Sequence, residues 1–109
     1  MTVFITENSP GKDFSSAHAF GDFCRVFRKG VYPDNSEERS DEMVKIARSR
    51  LENFDAETDY VLMVGDPVGI AIVMAVLRET HPVISVLKYD RKAGGYYPIE
   101  IDLSNESLN

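Results

Sequence analysis

Residues 59–79, DYVLMVGDPVGIAIVMAVLRE, constrain the fold of this chain more than any other part of its sequence. The run 60–64 is continuous and apolar, which is typical of a strand buried on both faces of a sheet. The run 68–77 is apolar nearly all the way round, which is typical of a mostly buried helix. The segment therefore predicts a central strand, a tight turn at Gly65-Asp66-Pro67 and a buried helix.

Two interpretations of this turn stay open. Asp66 is a preferred N-cap residue, and Pro67 suits the first helical position because its missing N–H costs nothing there. Alternatively, Asp66 holds a ribose hydroxyl, a base amine or a hydrated Mg²⁺. A directly bound phosphate is disfavoured, because a capping carboxylate occupies the helix N–H groups and repels an anion. The phosphate loops G-x-G-x-x-G and G-x-x-x-x-G-K-[ST] are both missing from the sequence.

The rest of the chain alternates between short strands and helices. Residues 96–103 alternate strictly, with Tyr97, Ile99, Ile101 and Leu103 on one face, and Pro98 is typical of an edge strand. The predicted elements are a strand at 2–6, two helical turns within 13–21, a strand at 22–27, a basic turn at 28–30, a loop at 31–39, a helix that begins after Ser40 and carries apolar residues from 43 to 54, a strand at 60–64, a helix at 68–77, and a hairpin of strands 83–89 and 96–103.

A right-handed crossover through the helix at 68–77 makes strand 83–89 parallel to strand 60–64, and strand 96–103 returns antiparallel at the edge. The predicted fold class is α/β, a small three-layer Rossmann-like sheet that is mostly parallel and has a C-terminal β-hairpin at its edge. Residues 1–103 are predicted to form one domain, and residues 104–109 a disordered tail.

Composition excludes several classes of protein. The net charge of −6 over 109 residues disfavours nucleic-acid binding, which depends on Lys and Arg contacts to phosphates. The single Cys24 forms no internal disulfide, and two histidines with one cysteine give no zinc-ligand spacing, so we expect no metal site. No apolar run reaches the ~20 residues of a membrane span, and no secretory signal is recognisable, so we expect a cytoplasmic protein.

Polar residues follow the carboxyl ends of the predicted parallel strands, where open α/β sheets bind their ligands. If the first and third strands are neighbours, these residues share one crevice. The candidate ligand-binding residues are Asn8, Ser9, Lys12, Asp13, Gly65, Asp66, Lys88, Asp90 and Arg91.

The residue types of a nucleophile, a base and an orienting acid occur together at Asp13, Ser15, Ser16 and His18. They are sequence neighbours on one short helix, and residues two or three apart do not automatically converge. No G-x-S-x-G elbow accompanies them, so the pattern disfavours a hydrolase.

Three segments, DFSSAHAFGD, DYVLMVGDPVGIAI and VLKYDRKAGGYYPIEIDL, resemble a group of small proteins of tailed bacteriophages and related prophages. The resemblance covers most of the chain and spares residues 28–50. It implies no activity, and it implies expression in the bacterial cytoplasm during infection. The motif residues are Asp13, Ser15, Phe20, Gly21, Gly65, Asp66, Pro67, Lys88, Asp90, Arg91, Tyr97 and Pro98.

Three functions remain open. The favoured hypothesis is a non-catalytic accessory protein that acts through protein–protein contacts, including self-association as a homodimer across the edge hairpin. The second is a nucleotide-binding protein or small phosphotransfer or hydrolytic enzyme that uses the crevice at Asp66, with Mg²⁺ only if a nucleotide binds. The third is binding of single-stranded nucleic acid through basic residues and tyrosines, against which the net charge argues.

Overall fold

The computed structural model describes residues 1–9, 11–27 and 36–104, and for residues 36–40 it describes the backbone alone. The predicted turn at 28–30 and the tail beyond Ser104 lie outside these ranges. The elements, in chain order, are β1 (Thr2–Glu7), a 3-10 helix (Ser15–Phe20), β2 (Asp22–Phe27), α1 (Ser36–Arg50), β3 (Tyr60–Leu62), α2 (Pro67–Arg78), β4 (Val83–Asp90) and β5 (Gly95–Asp102).

The five strands form one mixed sheet in the order β2-β1-β3-β4-β5. The pairs β1–β2, β1–β3 and β3–β4 are parallel, and β4–β5 is antiparallel. The predicted α/β class and the C-terminal hairpin at the sheet edge are confirmed. The Rossmann-like, mostly parallel description is confirmed only in part, because β5 is antiparallel and one face of the sheet carries a short 3-10 helix in place of an α-helix.

Two apolar clusters flank the sheet. On the helix side, Met43 and Ala47 of α1 and Val73 and Leu77 of α2 pack with strand residues such as Phe4. On the opposite side, Ala17 of the 3-10 helix packs with Val3, Ile5, Leu62, Val64 and Leu87. Each large side chain buried in this way contributes about 1.5–3 kcal/mol relative to exposure. The chain therefore places a substantial core on either side of the sheet.

The start of α1 corrects the sequence prediction. The helix begins at Ser36, four residues before the predicted cap, so Ser40 lies inside the helix and the predicted loop at 31–39 is wrong for its last residues. The part of that loop from 31 to 35 lies outside the described residues.

A buried carboxylate closes the amino end of the sheet. Asp59, which is 6% exposed, accepts hydrogen bonds from the N–H groups of Thr2 and Asp55, both at 2.9 Å. The carboxylate therefore joins the start of β1 to the turn that leads into β3, and the two central strands enter the sheet side by side.

Candidate binding groove and open sheet edge

The direction in which successive strands are added to the sheet reverses between β1 and β3. From β1 the sheet grows toward β2, and from β3 it grows the other way toward β4. Such a switch point leaves a crevice outside the carboxyl ends of the two strands, because the connections leave on opposite faces of the sheet. The carboxyl ends that meet here are Glu7 of β1 and the residues that follow Leu62 of β3.

Thr6 fixes the backbone at this point. Its hydroxyl donates to the carbonyl of Val64 at 2.6 Å and accepts from the N–H of Val64 at 2.7 Å. Thr6 is 0% exposed, so both polar groups of Val64 are satisfied by one buried side chain. The predicted strand 60–64 therefore ends at Leu62, because a hydroxyl replaces the neighbouring strand as the partner of Val64.

Gly65 is required by its conformation and by its surroundings. Its φ is +90°, and a Cβ at this position would overlap the carboxylate of Glu7. One oxygen of that carboxylate, Oε1, is buried and has no hydrogen-bond partner among the described residues. Glu7 therefore lies directly beneath the turn, although it was not among the predicted site residues.

Asp66 is the N-cap of α2, as the sequence predicted. Its Oδ1 accepts from the N–H of Val68 at 2.8 Å, and Pro67 occupies the first helical position. The helix terminus is thus satisfied within the chain, and the local role of Asp66 needs no ligand.

An open groove with a volume of about 770 Å³ runs along the carboxyl ends of β3 and β4. Side chains from both faces of the sheet line this groove: Val86 belongs to the apolar cluster on the helix side, and Leu87 belongs to the cluster on the opposite side. Its lining residues are Lys12, Asp13, Phe14, Leu62, Met63, Val64, Gly65, Ile70, Val86, Leu87, Lys88, Tyr89, Tyr96 and Ile99. Four predicted site residues, Lys12, Asp13, Gly65 and Lys88, therefore border one groove.

The other five predicted residues do not line this groove. The N–H of Asn8 donates to the carbonyl of Phe27 at 2.7 Å, and the carbonyl of Ser9 accepts from Lys12. Asp66 caps α2. Asp90 accepts from the N–H of Lys92 at 2.9 Å and closes the hairpin turn in which Arg91 lies. Their ligand-binding role stays a prediction.

Two tyrosines form one wall of the groove and were missed as site residues. Tyr89 and Tyr96 face each other across the hairpin, with ring centroids 5.2 Å apart at 70°. Burial, the phenol of Tyr89 and the carboxylate of Asp13 raise the pKa of Tyr96. The hairpin register, in which these positions are paired, is the sequence signal that points to them.

The observed contacts of Asp13, Ser15 and His18 do not join these residues into a nucleophile–base–acid arrangement. Asp13 accepts from the hydroxyl and, at 2.8 Å, from the N–H of Ser15, and these bonds lower the pKa of Asp13. The ring of His18 stacks on Phe23, with centroids 3.8 Å apart at 9°. Asp13 therefore orients Ser15, while the observed ring partner of His18 is an aromatic residue. Among the described residues, no group of three His, Cys, Asp or Glu side chains is arranged to hold a metal ion.

The outer side of β5 is open. The Leu103 N–H donates to the Pro82 carbonyl, which sets the antiparallel pattern of the hairpin. In that pattern the odd-numbered residues of β5 bond to β4, and the even-numbered residues direct their backbone groups away from the sheet. No described residue pairs with that side. Pro98 is one of the outward positions, so its missing N–H is not lost from the hairpin, as expected for proline in an edge strand.

Apolar side chains accompany this open backbone. Tyr97 and Ile99 are 40% and 38% exposed, and they lie on the helix side because Ile99 is opposite Val86. Ile99 also lines the groove. We call the outward backbone groups of Tyr96, Pro98, Glu100 and Asp102, together with the side chains of Tyr97 and Ile99, the β5 edge.

A family model described as the phage Pam3 gp32-like protein matches residues 1–103. The chain belongs to this family. The phage Pam3 gp32-like match covers every element of the sheet, the groove and the β5 edge, and the resemblance to small phage proteins is confirmed. The comparisons with curated proteins and with solved structures gave no match. Within the described ranges, neither α-helix is long and apolar enough to cross a bilayer.

Proposed function

We propose that this phage protein is a non-catalytic accessory protein that acts through protein–protein contacts at the β5 edge. The observation that carries the proposal is the last strand of the sheet, eight residues long, whose outer backbone groups have no partner among the described residues. An added strand would receive and donate main-chain hydrogen bonds there, and side-chain contacts would give specificity. The site of action is the cytoplasm of the infected bacterium, and the machinery it modulates is a phage or host nucleic-acid complex.

The side chains of the β5 edge support a protein partner. Residues 96–99 are uncharged, and the exposed Tyr97 and Ile99 offer an aromatic and an aliphatic contact next to each other on the helix side. Aromatic residues are enriched at protein interfaces, whereas a nucleic-acid surface would need many cations. The net charge of −6 points the same way.

The test removes one outward N–H without changing the hairpin. Glu100 directs its N–H away from β4, so Glu100→Pro removes a donor from the β5 edge and leaves the β4 pairing intact. Glu100→Gln is the matched control, since it removes the same charge and keeps the N–H. We expect a protein captured by the wild type from extracts of infected cells to be lost with Glu100→Pro and kept with Glu100→Gln. Equal capture by both variants would contradict the proposal.

A second candidate function is supported by the groove. Four predicted site residues border it, and its volume of about 770 Å³ lies in the range of small-ligand pockets. Lys12 and Lys88 offer cations, and the tyrosine pair offers an aromatic wall, which suits a nucleotide-like ligand with Mg²⁺ as its counterion.

Thermal denaturation with nucleotides, with and without Mg²⁺, tests this candidate. A ligand at 100 times its dissociation constant adds about 2.7 kcal/mol to stability. We expect the shift to disappear in Lys88→Gln and to remain in Arg78→Gln, a change at the distant end of α2. The absence of any saturable shift would rule out this use of the groove.

A further inference from the structure

We propose that the occupant of the β5 edge is a second copy of this chain, paired antiparallel about a two-fold axis at Ile99. This inference rests on the proposed function and names the partner of the same surface. A two-fold axis across an edge strand reverses the strand direction, so two identical edges can only meet antiparallel. The two five-stranded sheets would then continue into one.

The positions of the outward groups restrict the register. Hydrogen bonds between the copies require an outward, even-numbered residue of one copy opposite an even-numbered residue of the other. An axis at Pro98 would set proline opposite proline, so this central pair would form no hydrogen bond at all. An axis at Glu100 would set two like charges opposite each other, which is destabilising. Axes nearer either end of the strand would pair fewer residues.

An axis at Ile99 avoids each of these faults. Pro98 then faces Glu100 of the second copy, and its carbonyl accepts from the Glu100 N–H. This pair occurs twice by symmetry, and each pair keeps one of its two hydrogen bonds. Tyr96 faces Asp102, and each of these residues donates to the other's carbonyl. Every outward N–H of the edge therefore finds an acceptor.

The side chains agree with this register. Ile99 would sit opposite itself in a non-hydrogen-bonded pair, where cross-strand side chains are closest. Tyr97 would face Ile101 of the second copy on the same helix-side surface, giving the aromatic and aliphatic contacts that stabilise sheet pairs. In this register Glu100 and Asp102 do not face acids of the second copy. They are shifted toward its hairpin tip, which carries the basic residues Arg91 and Lys92.

The contact is small. One strand pair with two exposed apolar residues on each side falls at the low end of interface sizes, which is typical of weak and transient association. We therefore expect a monomer–dimer equilibrium that depends on protein concentration and not a permanent dimer.

Cysteine cross-linking tests the register directly. In a Cys24→Ala background, Ile99→Cys places two thiols across the axis with Cα atoms about 4.5 Å apart, within the roughly 4.4–6.8 Å that a disulfide spans. Tyr97→Cys is the matched control, with nearly equal exposure on the same face. Its two thiols would be about 13 Å apart, four residues out of register, which is too far for a disulfide.

We expect mild oxidation to give a disulfide dimer with Ile99→Cys and none with Tyr97→Cys. Adding Glu100→Pro to Ile99→Cys should abolish the dimer, and adding Glu100→Gln should not. Sedimentation velocity of the wild type, which carries no substitution, should show dimer that increases with concentration. Equal cross-linking at both cysteines, or a wild type that stays monomeric at every concentration, would overturn the inference.

The two proposals fail differently. If Ile99→Cys does not cross-link while Glu100→Pro still abolishes capture of another protein, the second copy is the wrong partner and the proposed function stands. If Glu100→Pro changes neither cross-linking nor capture, the β5 edge is not a contact surface and both are wrong.

Discussion

The backbone hydrogen-bonding groups differ between the centre of the sheet and its outer strand: those at the centre have partners, and the outward groups of the outer strand have none among the described residues. At the centre, buried side chains close the backbone: Thr6 binds both polar groups of Val64, and Asp59 binds Thr2 and Asp55. At the β5 edge, the outward groups of four residues have no described partner. The backbone is therefore closed at the centre, whereas the edge is open to the association proposed above, and changes to one region should leave the property of the other intact.

Replacing Thr6 should have the largest effect. Thr6→Val keeps the shape of the side chain but leaves the N–H and carbonyl of Val64 buried without partners, which should cost about 2–5 kcal/mol. Thr6→Ser keeps the hydroxyl and should cost about 1 kcal/mol for the lost methyl group. Urea unfolding measures both values. A small effect of Thr6→Val would mean that the hydrogen bonds between Thr6 and Val64 contribute little to the stability of the fold.

Gly65 tests the second contact at the centre. Gly65→Ala should cost about 2–4 kcal/mol, because alanine is strained at positive φ and its Cβ would overlap Glu7. Glu7→Ala removes part of the overlap and leaves the strain, so the double variant should be more stable than the sum of the single effects predicts. If the effects of the two substitutions on the free energy of unfolding were strictly additive, Glu7 and Gly65 would not interact.

Asp66 should matter less. Asp66→Ala removes the N-cap of α2 and should cost about 0.5–2 kcal/mol, while Asp66→Asn keeps an acceptor and should cost a few tenths. Thermal unfolding of the two variants gives the comparison. Dimer formation by either variant should equal that of the wild type, and a loss of association would contradict the division between centre and edge.

The smallest effect concerns Tyr96, which belongs to both the groove and the β5 edge. Its pKa is raised in the folded chain, so the unfolded chain loses the phenolic proton first as pH rises. Stability should therefore fall from the ordinary pKa of 10.0 upward through the folded pKa. Tyr96→Phe should flatten this decline in urea unfolding, and Tyr97→Phe should keep it. If stability fell equally steeply with pH in both variants, the decline would come from a group other than Tyr96.

Local chemistry made much of the fold predictable. Asp66 and Pro67 predicted the start of α2, and the alternation with Pro98 predicted an edge strand, because caps and proline depend on neighbours in sequence. The Thr6–Val64 pair joins residues 58 apart, and its effect on the end of β3 has no local signal. The groove depends in the same way on strand order, which brings Lys12 and Lys88 to one edge of the sheet.

Amide hydrogen exchange along β5 measures the central claim residue by residue. The N–H groups of Tyr97, Ile99 and Ile101 bond to β4 and should be protected at every concentration. Those of Tyr96, Glu100 and Asp102 point outward and should gain protection as the protein concentration rises, and Glu100→Pro should return Tyr96 and Asp102 to fast exchange. Outward amides that exchange fast at all concentrations, beside protected inward ones, would contradict the assignment of the β5 edge as an interface between copies.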